Sequence, residues 1–537
     1  MLKLPIIEKG TSGNLSFRSH STRSSSTAIV SFSLIIAFIF AFLGIRLFQL
    51  TVVKGSYYYR VSEENRIREL IIEAKRGTLL DRNGIVIASN KPADIHGLQP
   101  RQTSFRSYSL EKEIGQIVGY RQIADEQDIK NDNCITKLTS GDKVGKKGLE
   151  KLFDCDLRGK SGKKLIKLDA RGKQLETISV IPAHDGQTIQ TSLDMHLQQK
   201  AFQLMKDKKG AVIGSNPNTG EILFMVSTPS FSPQDFEEMN NGNINSYLHD
   251  SNRPLLNRAT AGTYPPGSVF KMVLAAGALE EKRIAPEKTI EDTGVIKVGV
   301  ASFGNWYYLQ YGKKEGPVNM IKSLQRSNDI YYYRLGELLT PEKIKKWADV
   351  FGYGKRMNMG LEEEAGTLPS PFWKAEVLGE KWYLGDTYNY SIGQGYLLTT
   401  PLQVQQATGV FANGGYYCVP TFLKETSVQK QTKPRMNAQC NKLPLKDSTI
   451  ATIREGMRRA CQTGGTGWPL FSFSPPVGCK TGTAESHTKS GTPHAWFTVF
   501  APFDKPTITI TVLVEEGGQG SDVAAPIAKD LLTEYFK

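Results

Sequence analysis

From Ser24 to Ile45 the chain carries no charged residue, and the stretch from Ala28 to Ile45 is apolar on every side. With Leu47-Phe48-Gln49-Leu50 behind Arg46, this run is long enough to cross a bilayer as one helix. A cleaved leader has a shorter apolar region that ends in small residues. Here Phe and Leu crowd the place where such cleavage would fall, so residues 24–50 are expected to be an uncleaved membrane anchor. The preceding tail, residues 1–23, carries Lys3, Lys9, Arg18 and Arg23 against Glu8 alone. The positive-inside rule then expects the tail in the cytoplasm and everything after about residue 50 outside it. Arg46, Lys54 and Arg60 on the far side weaken that bias without reversing it.

The rest of the 537 residues is long enough for two or three domains. The net charge of +14 is compatible with nucleic acid, anionic lipid or a polyanionic wall. The Lys and Arg residues are spread out and are not interleaved with aromatic residues, so a nucleic-acid partner is not expected. Six cysteines, Cys134, Cys155, Cys418, Cys440, Cys461 and Cys479, suit a compartment that permits disulfides. The pairing stays open at this stage. The sequential pairs 134–155, 418–440 and 461–479 close the shortest loops. No CxxC or Cys/His cluster suggests zinc.

Tyr57 to Arg68 reads as a polar helix. Residues 71–89 read as two short strands around an Asn83-Gly84 turn. The segment from about 90 to 190 is polar and turn-rich without catalytic clustering, and is expected to be a spacer or docking domain. A helical pattern begins near Ser192, with Asp194 as its cap and Leu197, Ala201 and Leu204 on one face. Gly210–Ser215 and Glu221–Ser227 read as strands joined by the turn at Asn216-Pro-Asn-Thr-Gly220. Apolar strands recur at 495–500 and 507–514, and a helix from Ala524 to Phe536 closes the chain. Strands at both ends with helices between them predict an α+β domain whose first and last strands share one antiparallel sheet.

The chemistry-bearing signal starts at Gly262-Thr-Tyr-Pro-Pro-Gly267-Ser268-Val-Phe-Lys271. Prolines and glycine end a loop, and a good helix former follows. Ser268 is then expected in the first helical turn, where free N–H groups and the helix dipole favour developing negative charge. Lys271 lies one turn on, on the same face, where a desolvated amine can take the serine proton. S-x-x-K alone is a weak signal, since a capping serine before a surface lysine looks the same. Two further elements change that: Ser327-Asn328-Asp329, and Lys480-Thr481-Gly482-Thr483. A second hydroxyl, Ser327, can relay a proton to a leaving amine. Lys480 with the hydroxyls of Thr481 and Thr483 can bind a carboxylate, and Gly482 lets a substrate backbone approach the strand edge. S-x-x-K, a second serine motif and K-T-G in this order mark the penicillin-binding proteins and serine β-lactamases.

Along nearly its whole length the chain resembles a class B penicillin-binding protein, a peptidoglycan D,D-transpeptidase. Pro254-Leu-Leu-Asn-Arg258, Gly262–Lys271, Lys480–Glu485 and His494-Ala-Trp-Phe497 resemble the transpeptidase domain. Arg76-Gly77 and Asp81-Arg-Asn-Gly84 resemble the family's N-terminal pedestal motifs. Trp382–Asp386, Ser391-Ile-Gly-Gln-Gly395 and Thr400-Pro401-Leu-Gln403 are most similar to the elongation, or rod-system, branch. The resemblance implies a single transmembrane helix, an elongated mixed β-rich pedestal over 51–190, and a transpeptidase domain over 191–537 with an antiparallel sheet flanked by helices.

It implies that Ser268 attacks the D-Ala-D-Ala bond of a stem peptide, releasing D-Ala, and that an amine of a neighbouring strand resolves the acyl-enzyme as a cross-link. Lys271 is the implied base, with Ser327 and Lys480 in the proton and carboxylate network. The N–H groups of Ser268 and Thr483 form the implied oxyanion hole. β-Lactams are the implied inhibitors. A SEDS-type glycosyltransferase and rod-complex proteins are the implied partners, docking on the pedestal of a single-pass cytoplasmic-membrane enzyme with its catalytic domain outside. No cofactor is implied.

Two positions depart from the commonest pattern. Asp329 stands where Asn is usual, and an ionised Asp only accepts hydrogen bonds, so it is expected to pair with Lys271. Some elongation-type members hold zinc in the segment matching Asp292 to Trp306, but that segment has no Cys or His here, so no metal is expected. A division-type transpeptidase, a β-lactamase and a β-lactam sensor are the alternatives. No local motif for a deacylating water, as a β-lactamase needs, is visible, and residues 1–23 show no pattern of a signalling domain, so neither a β-lactamase nor a sensor is the expectation.

Overall fold

A computed structural model describes residues 26–92, 104–169, 171–424, 439–486 and 491–537. The basic tail 1–23 lies outside the described residues. The chain divides into two units, one formed by residues up to Leu70 with Lys163–Ile181, the other by Ile71–Gly162 with Pro182–Lys537.

In the first unit, helix α1 (Ser26–Phe48) continues through a wider turn to Val53, giving 28 residues without a buried side chain in the apolar window. At 1.5 Å per residue that is about 42 Å, more than the ~30 Å of a hydrocarbon core. Among the described residues it is the one helix long and apolar enough to cross a membrane. Helix α2 (Gly55–Asn65) follows, with Tyr57, Tyr58 and Tyr59 exposed. Such rings favour the level of lipid headgroups. Arg68, read above as part of this helix, lies instead in strand β1 (Ile67–Ile72). It joins β2 (Gly162–Leu168) and β3 (Gln174–Ile181) in a sheet of order β1-β2-β3.

The second unit begins with a four-stranded sheet that includes the turn read from Asn83-Gly84. Gly84 adopts φ +87°, and the Asp81 carboxylate accepts from the N–H groups of Asn83 and Ile85. Nearby, Arg76 and Arg106 share the buried Glu150 carboxylate at 2.6 and 2.7 Å. The polar segment expected to be a spacer is thus organised around buried ion pairs.

Helix α3 (Met195–Met205) is capped by Asp194, which accepts from His196 and Leu197 N–H. Strands β4 (Gly210–Ser215) and β5 (Ile222–Thr228) form the expected hairpin. Three late strands, β6 (Gly478–Ala484), β7 (His494–Ala501) and β8 (Ile508–Val514), complete an antiparallel sheet of order β5-β4-β8-β7-β6. First and last strands meet as Gly210↔Val514 through Ser215↔Thr509, as the sequence pattern predicts. The strands are buried on both faces because one apolar cluster lies under helix α9 (Ala525–Tyr535) with α3, and another under the helices that carry the candidate site.

Those helices are α4 (Lys271–Glu280), α5 (Met320–Arg326), α6 (Asp329–Leu339), α7 (Pro401–Ala412) and α8 (Asp447–Ala460). Thr400 and Gln403 cap α7 reciprocally. The cysteines pair sequentially, as Cys134–Cys155, Cys418–Cys440 and Cys461–Cys479.

Candidate active site

Pro265 and Pro266 lead into Gly267, whose φ of +58° turns the chain back on itself. Gly267–Phe270 is a tight helical turn that runs directly into α4. Ser268 is the partly accessible residue of this turn, while Lys271 is fully buried. The turn is pinned on three sides. Gly267 N–H donates to Gly393 O at 2.8 Å, Trp496 Nε1 donates to Pro265 O at 3.0 Å, and Phe270 stacks on Tyr390. A Cβ on Gly267 would lie 2.8 Å from Thr483 O, so the nucleophile turn and strand β6 touch backbone to backbone here.

Lys271 Nζ donates to Ser327 O at 2.8 Å and to Asp329 Oδ1 at 2.7 Å, and lies 3.4 Å from Ser327 Oγ. Lys480 Nζ donates to Ser327 Oγ and Thr481 O, both at 2.8 Å. The Ser327 hydroxyl therefore stands between two buried amines. It reaches that place because Ser327 ends α5 in the left-handed conformation, φ +53°, before Asn328 caps α6 by accepting from Tyr331 N–H.

Burial pushes the Lys271 amine below the ordinary lysine range, with Asp329 opposing. Burial, and then the charge of Lys271, push Lys480 well below that range, again against Asp329. The expected pairing of Asp329 with Lys271 is present, yet it is compatible with a neutral amine. Such an amine has two hydrogens, for Asp329 and for Ser327 O, and a lone pair left to accept a proton.

Strand β6 is an edge strand, and its threonines are held by residues that the sequence did not single out. Thr466 Oγ1 lies 2.7 Å from Thr481 Oγ1, and Thr483 Oγ1 donates to Gln519 Oε1 at 2.9 Å. Gln394, from the quoted 391–395 motif, bonds Thr483 O and Glu485 N–H, each at 3.3 Å. Gly482 is also required on the face of the sheet, where a side chain would point. A Cβ there would meet Trp496 Cβ at 2.9 Å and Val269 Cγ1 at 3.0 Å, so this glycine seats the nucleophile turn on the strand.

The segment Asp292–Trp306 does not suit zinc. It has no Cys or His, and both Asp292 oxygens are engaged: Oδ1 by Gly294 N–H, Oδ2 by Asn305 Nδ2, Glu315 N–H and Asn328 Nδ2. Three donors crowd Oδ2 and one holds Oδ1, so the carboxylate is committed to the protein's own N–H groups. Asn305 and Trp306 reach Asp329 in turn, and no local pattern in the sequence pointed to either.

Residues 210–533 match the family model of the penicillin binding protein transpeptidase domain, and residues 92–191 that of the penicillin-binding protein dimerisation domain. The peptidoglycan D,D-transpeptidase MrdA of Salmonella typhimurium is 27% identical, over 95% of this chain and 95% of the relative. In the solved complex between penicillin-binding protein PBP2 and MreC from Helicobacter pylori, a chain superposes with a TM-score of 0.75 at 26% identity, covering 88% of this chain and 98% of that one. A structure of a peptidoglycan synthase complex that coordinates polymerization and crosslinking gives a TM-score of 0.76 at 26% identity, over 95% and 98%.

Proposed function

Because the chain belongs to the penicillin-binding protein transpeptidase family, we propose that it is an elongation-type peptidoglycan D,D-transpeptidase working through an acyl-enzyme on Ser268. The observation that carries the site is the meeting of Lys271, Ser327 and Lys480 in one buried hydrogen-bonded cluster, with Lys271 three residues on from the partly accessible Ser268. Residues 191–537 are the proposed catalytic domain and 51–190 the pedestal.

In the first half-reaction Ser268 Oγ attacks the carbonyl of the penultimate D-Ala, and its proton passes to the lone pair of Lys271. The new oxyanion is proposed to be met by the N–H groups of Ser268 and Thr483; the close approach of Gly267 to Thr483 O supports this. The C–N bond then breaks, and terminal D-Ala leaves as a free amine after receiving a proton through Ser327 Oγ. Lys480, Thr481 and Thr483 receive the terminal carboxylate: Lys480, when charged, keeps a third hydrogen beyond those given to Ser327 and Thr481. In the second half-reaction an amine of a neighbouring strand attacks the ester, forms the cross-link and returns the proton to Ser268. A β-lactam, with its carboxylate and strained amide, stops after the first half. Asp329, which accepts from Lys271 Nζ at 2.7 Å, is proposed to orient the amine, while burial pushes that amine below the ordinary lysine range against the pull of Asp329.

The one helix among the described residues that is long and apolar enough to cross a membrane supports a single-pass membrane protein. The N-terminus is proposed inside and the catalytic unit outside. MreC, the partner in the Helicobacter complex, and a SEDS-type glycosyltransferase are the proposed partners, with the pedestal as docking site.

Labelling full-length protein in membranes with a fluorescent penicillin tests the reading. Wild type should carry a covalent label and Ser268→Ala none. Equal labelling of the two, or of neither, would overturn it.

A further inference from the structure

We infer that Asp292 is a positioning residue whose carboxylate, acting through Asn305 and Asn328, sets Asp329 and Ser327 against Lys271. Asp292 closes the short strand Ile290–Asp292 and is 2% exposed. Its Oδ2 accepts from Asn305 Nδ2 at 2.9 Å, Glu315 N–H at 2.9 Å and Asn328 Nδ2 at 3.0 Å. These donors come from three separate stretches of chain.

An ionised carboxylate only accepts, so it dictates which way each amide points. With both NH2 groups turned toward Asp292, both amide oxygens must face away. Asn305 Oδ1 then accepts from Asp329 N–H at 3.1 Å, and Asn328 Oδ1 from Tyr331 N–H at 2.9 Å. The first bond holds the Asp329 backbone, and the second fixes the start of α6 directly after Ser327. Trp306, next to Asn305, completes the hold by donating its N–H to Asp329 Oδ2 at 2.9 Å, which leaves Oδ1 for Lys271. Asp292 touches no reacting atom. It acts at one remove, with hydrogen bonds doing the work of a rigid clamp.

A purely structural role and a positioning role differ in what they do to Lys271. The titratable groups facing its amine are Asp329 and the Tyr332 ring on α6, and Lys480 on β6 through Ser327. Asp329 is the anionic partner that favours the charged amine; the Tyr332 face, 5.2 Å away, favours it too but is unchanged in the variants below. Loosening it makes Lys271 easier to deprotonate, so the acid limb of acylation moves to lower pH. Loss of folded protein lowers the rate at every pH and leaves the limb in place.

The test compares Asp292→Asn, Asn305→Ala, Asp329→Asn and the double variant Asp292→Asn/Asp329→Asn in the full chain. It records the second-order rate of penicillin acylation against pH, together with thermal melting. Asp292→Asn should acylate on the order of tenfold more slowly, as sub-ångström misplacement of a catalytic group does. Its acid limb should move down, in the same direction as that of Asp329→Asn, and the double variant should show no further displacement. Asn305→Ala, which removes the link between the two carboxylates, should move the limb likewise, and it decides the matter if Asp292→Asn does not fold. A limb that moves for Asp329→Asn but for neither Asp292→Asn nor Asn305→Ala overturns the positioning role alone. The inference rests on Lys271 as the base: a limb unmoved even by Asp329→Asn overturns that reading and this one with it.

Discussion

Replacing Gly267 by alanine isolates one geometric requirement of the proposed chemistry, the closeness of the nucleophile turn to Thr483. The backbone there has φ +58°, and a left-handed conformation costs a residue with a Cβ about 1–2 kcal/mol. The added Cβ would stand 2.8 Å from Thr483 O and 3.1 Å from Thr483 C. Ordinary contact begins at 3.4 Å, so turn and strand must part by about 0.6 Å, and the opposing atoms are backbone that cannot rotate away. Overpacking of this kind costs about 1–3 kcal/mol. Together these terms stay below the roughly 5–15 kcal/mol that keeps a domain folded, so the variant should fold with a lowered melting temperature.

Its effect on rate should be larger than its effect on folding. Losing an oxyanion donor outright costs about 10²–10³ in rate, and a displacement of about 1 Å can cost 10². A shift of about 0.6 Å at Thr483 should slow acylation roughly tenfold to a hundredfold. Time courses of fluorescent penicillin labelling at several concentrations give the second-order constant, and thermal melting checks the fold. A melting temperature that falls while acylation keeps its wild-type rate would refute the claim that Gly267 sets the distance between Ser268 and the Thr483 N–H.

Other perturbations report on other parts of the site. Lys271→Arg keeps a cation beside Asp329 but cannot accept a proton, so labelling of the folded protein should fall by about 10²–10⁴, while the larger guanidinium in this fully buried place lowers the melting temperature through an overpacking cost of about 1–3 kcal/mol. In wild type the acylation rate should rise with pH to a plateau, with its midpoint below that of an exposed lysine, because burial favours the neutral amine. A midpoint in the ordinary lysine range on the pH–rate profile would contradict this. Removing the Cys461–Cys479 disulfide by paired alanines should cost about 3 kcal/mol by loop closure in a denaturation curve. It should also slow acylation, since Cys479 directly precedes Lys480 on β6. Tyr264→Phe removes the hydroxyl that donates to Glu515 at 2.7 Å, and should cost about 1.5–3 kcal/mol in denaturant without moving the pH profile.

The parts of this protein that were legible in its sequence are those with a local physical signature. The anchor announces itself by length and apolarity, the β4–β5 hairpin by its turn, α3 by the cap at Asp194, and the nucleophile turn by Pro265, Pro266 and Gly267. The lysine and hydroxyl motifs could be named because each is short and ordered along the chain. Asp292, Asn305, Thr466 and Gln519 belong to the same site but left no such trace. They recognise their partners one polar atom at a time across distant segments, and a buried Asn looks like a loop Asn until its partners are known. The sheet β1-β2-β3 was missed for a related reason, since β1 pairs with a strand beginning at Gly162, far along the chain. The segment from about 90 to 190 reads as a polar, turn-rich spacer or docking domain, and nothing along the chain shows that Arg106 and Glu150 within it are fully buried against each other.

Two residues with positive φ, Gly267 and Ser327, meet residues of β6, and their identities differ for a physical reason. At Gly267 any Cβ collides with Thr483, so the smallest residue is required. At Ser327, φ +53°, glycine would relieve about 1–2 kcal/mol of backbone strain, yet a serine is present. Its hydroxyl is where Lys480 Nζ, 2.8 Å away, and Lys271 Nζ, 3.4 Å away, come closest to sharing an atom. Without it Lys480 would lose a hydrogen-bond acceptor in a fully buried position, and an amine left short of partners there costs about 1–3 kcal/mol or more. The strained backbone at Ser327 is therefore offset by the bond it enables, and the same atom offers the shortest proton route between the two lysines. A hydroxyl held at a positive-φ position is what the proposed role of Ser327 in the proton path requires, and the proposed clamp of Asp292 on Asn328 would keep the turn that presents it from relaxing.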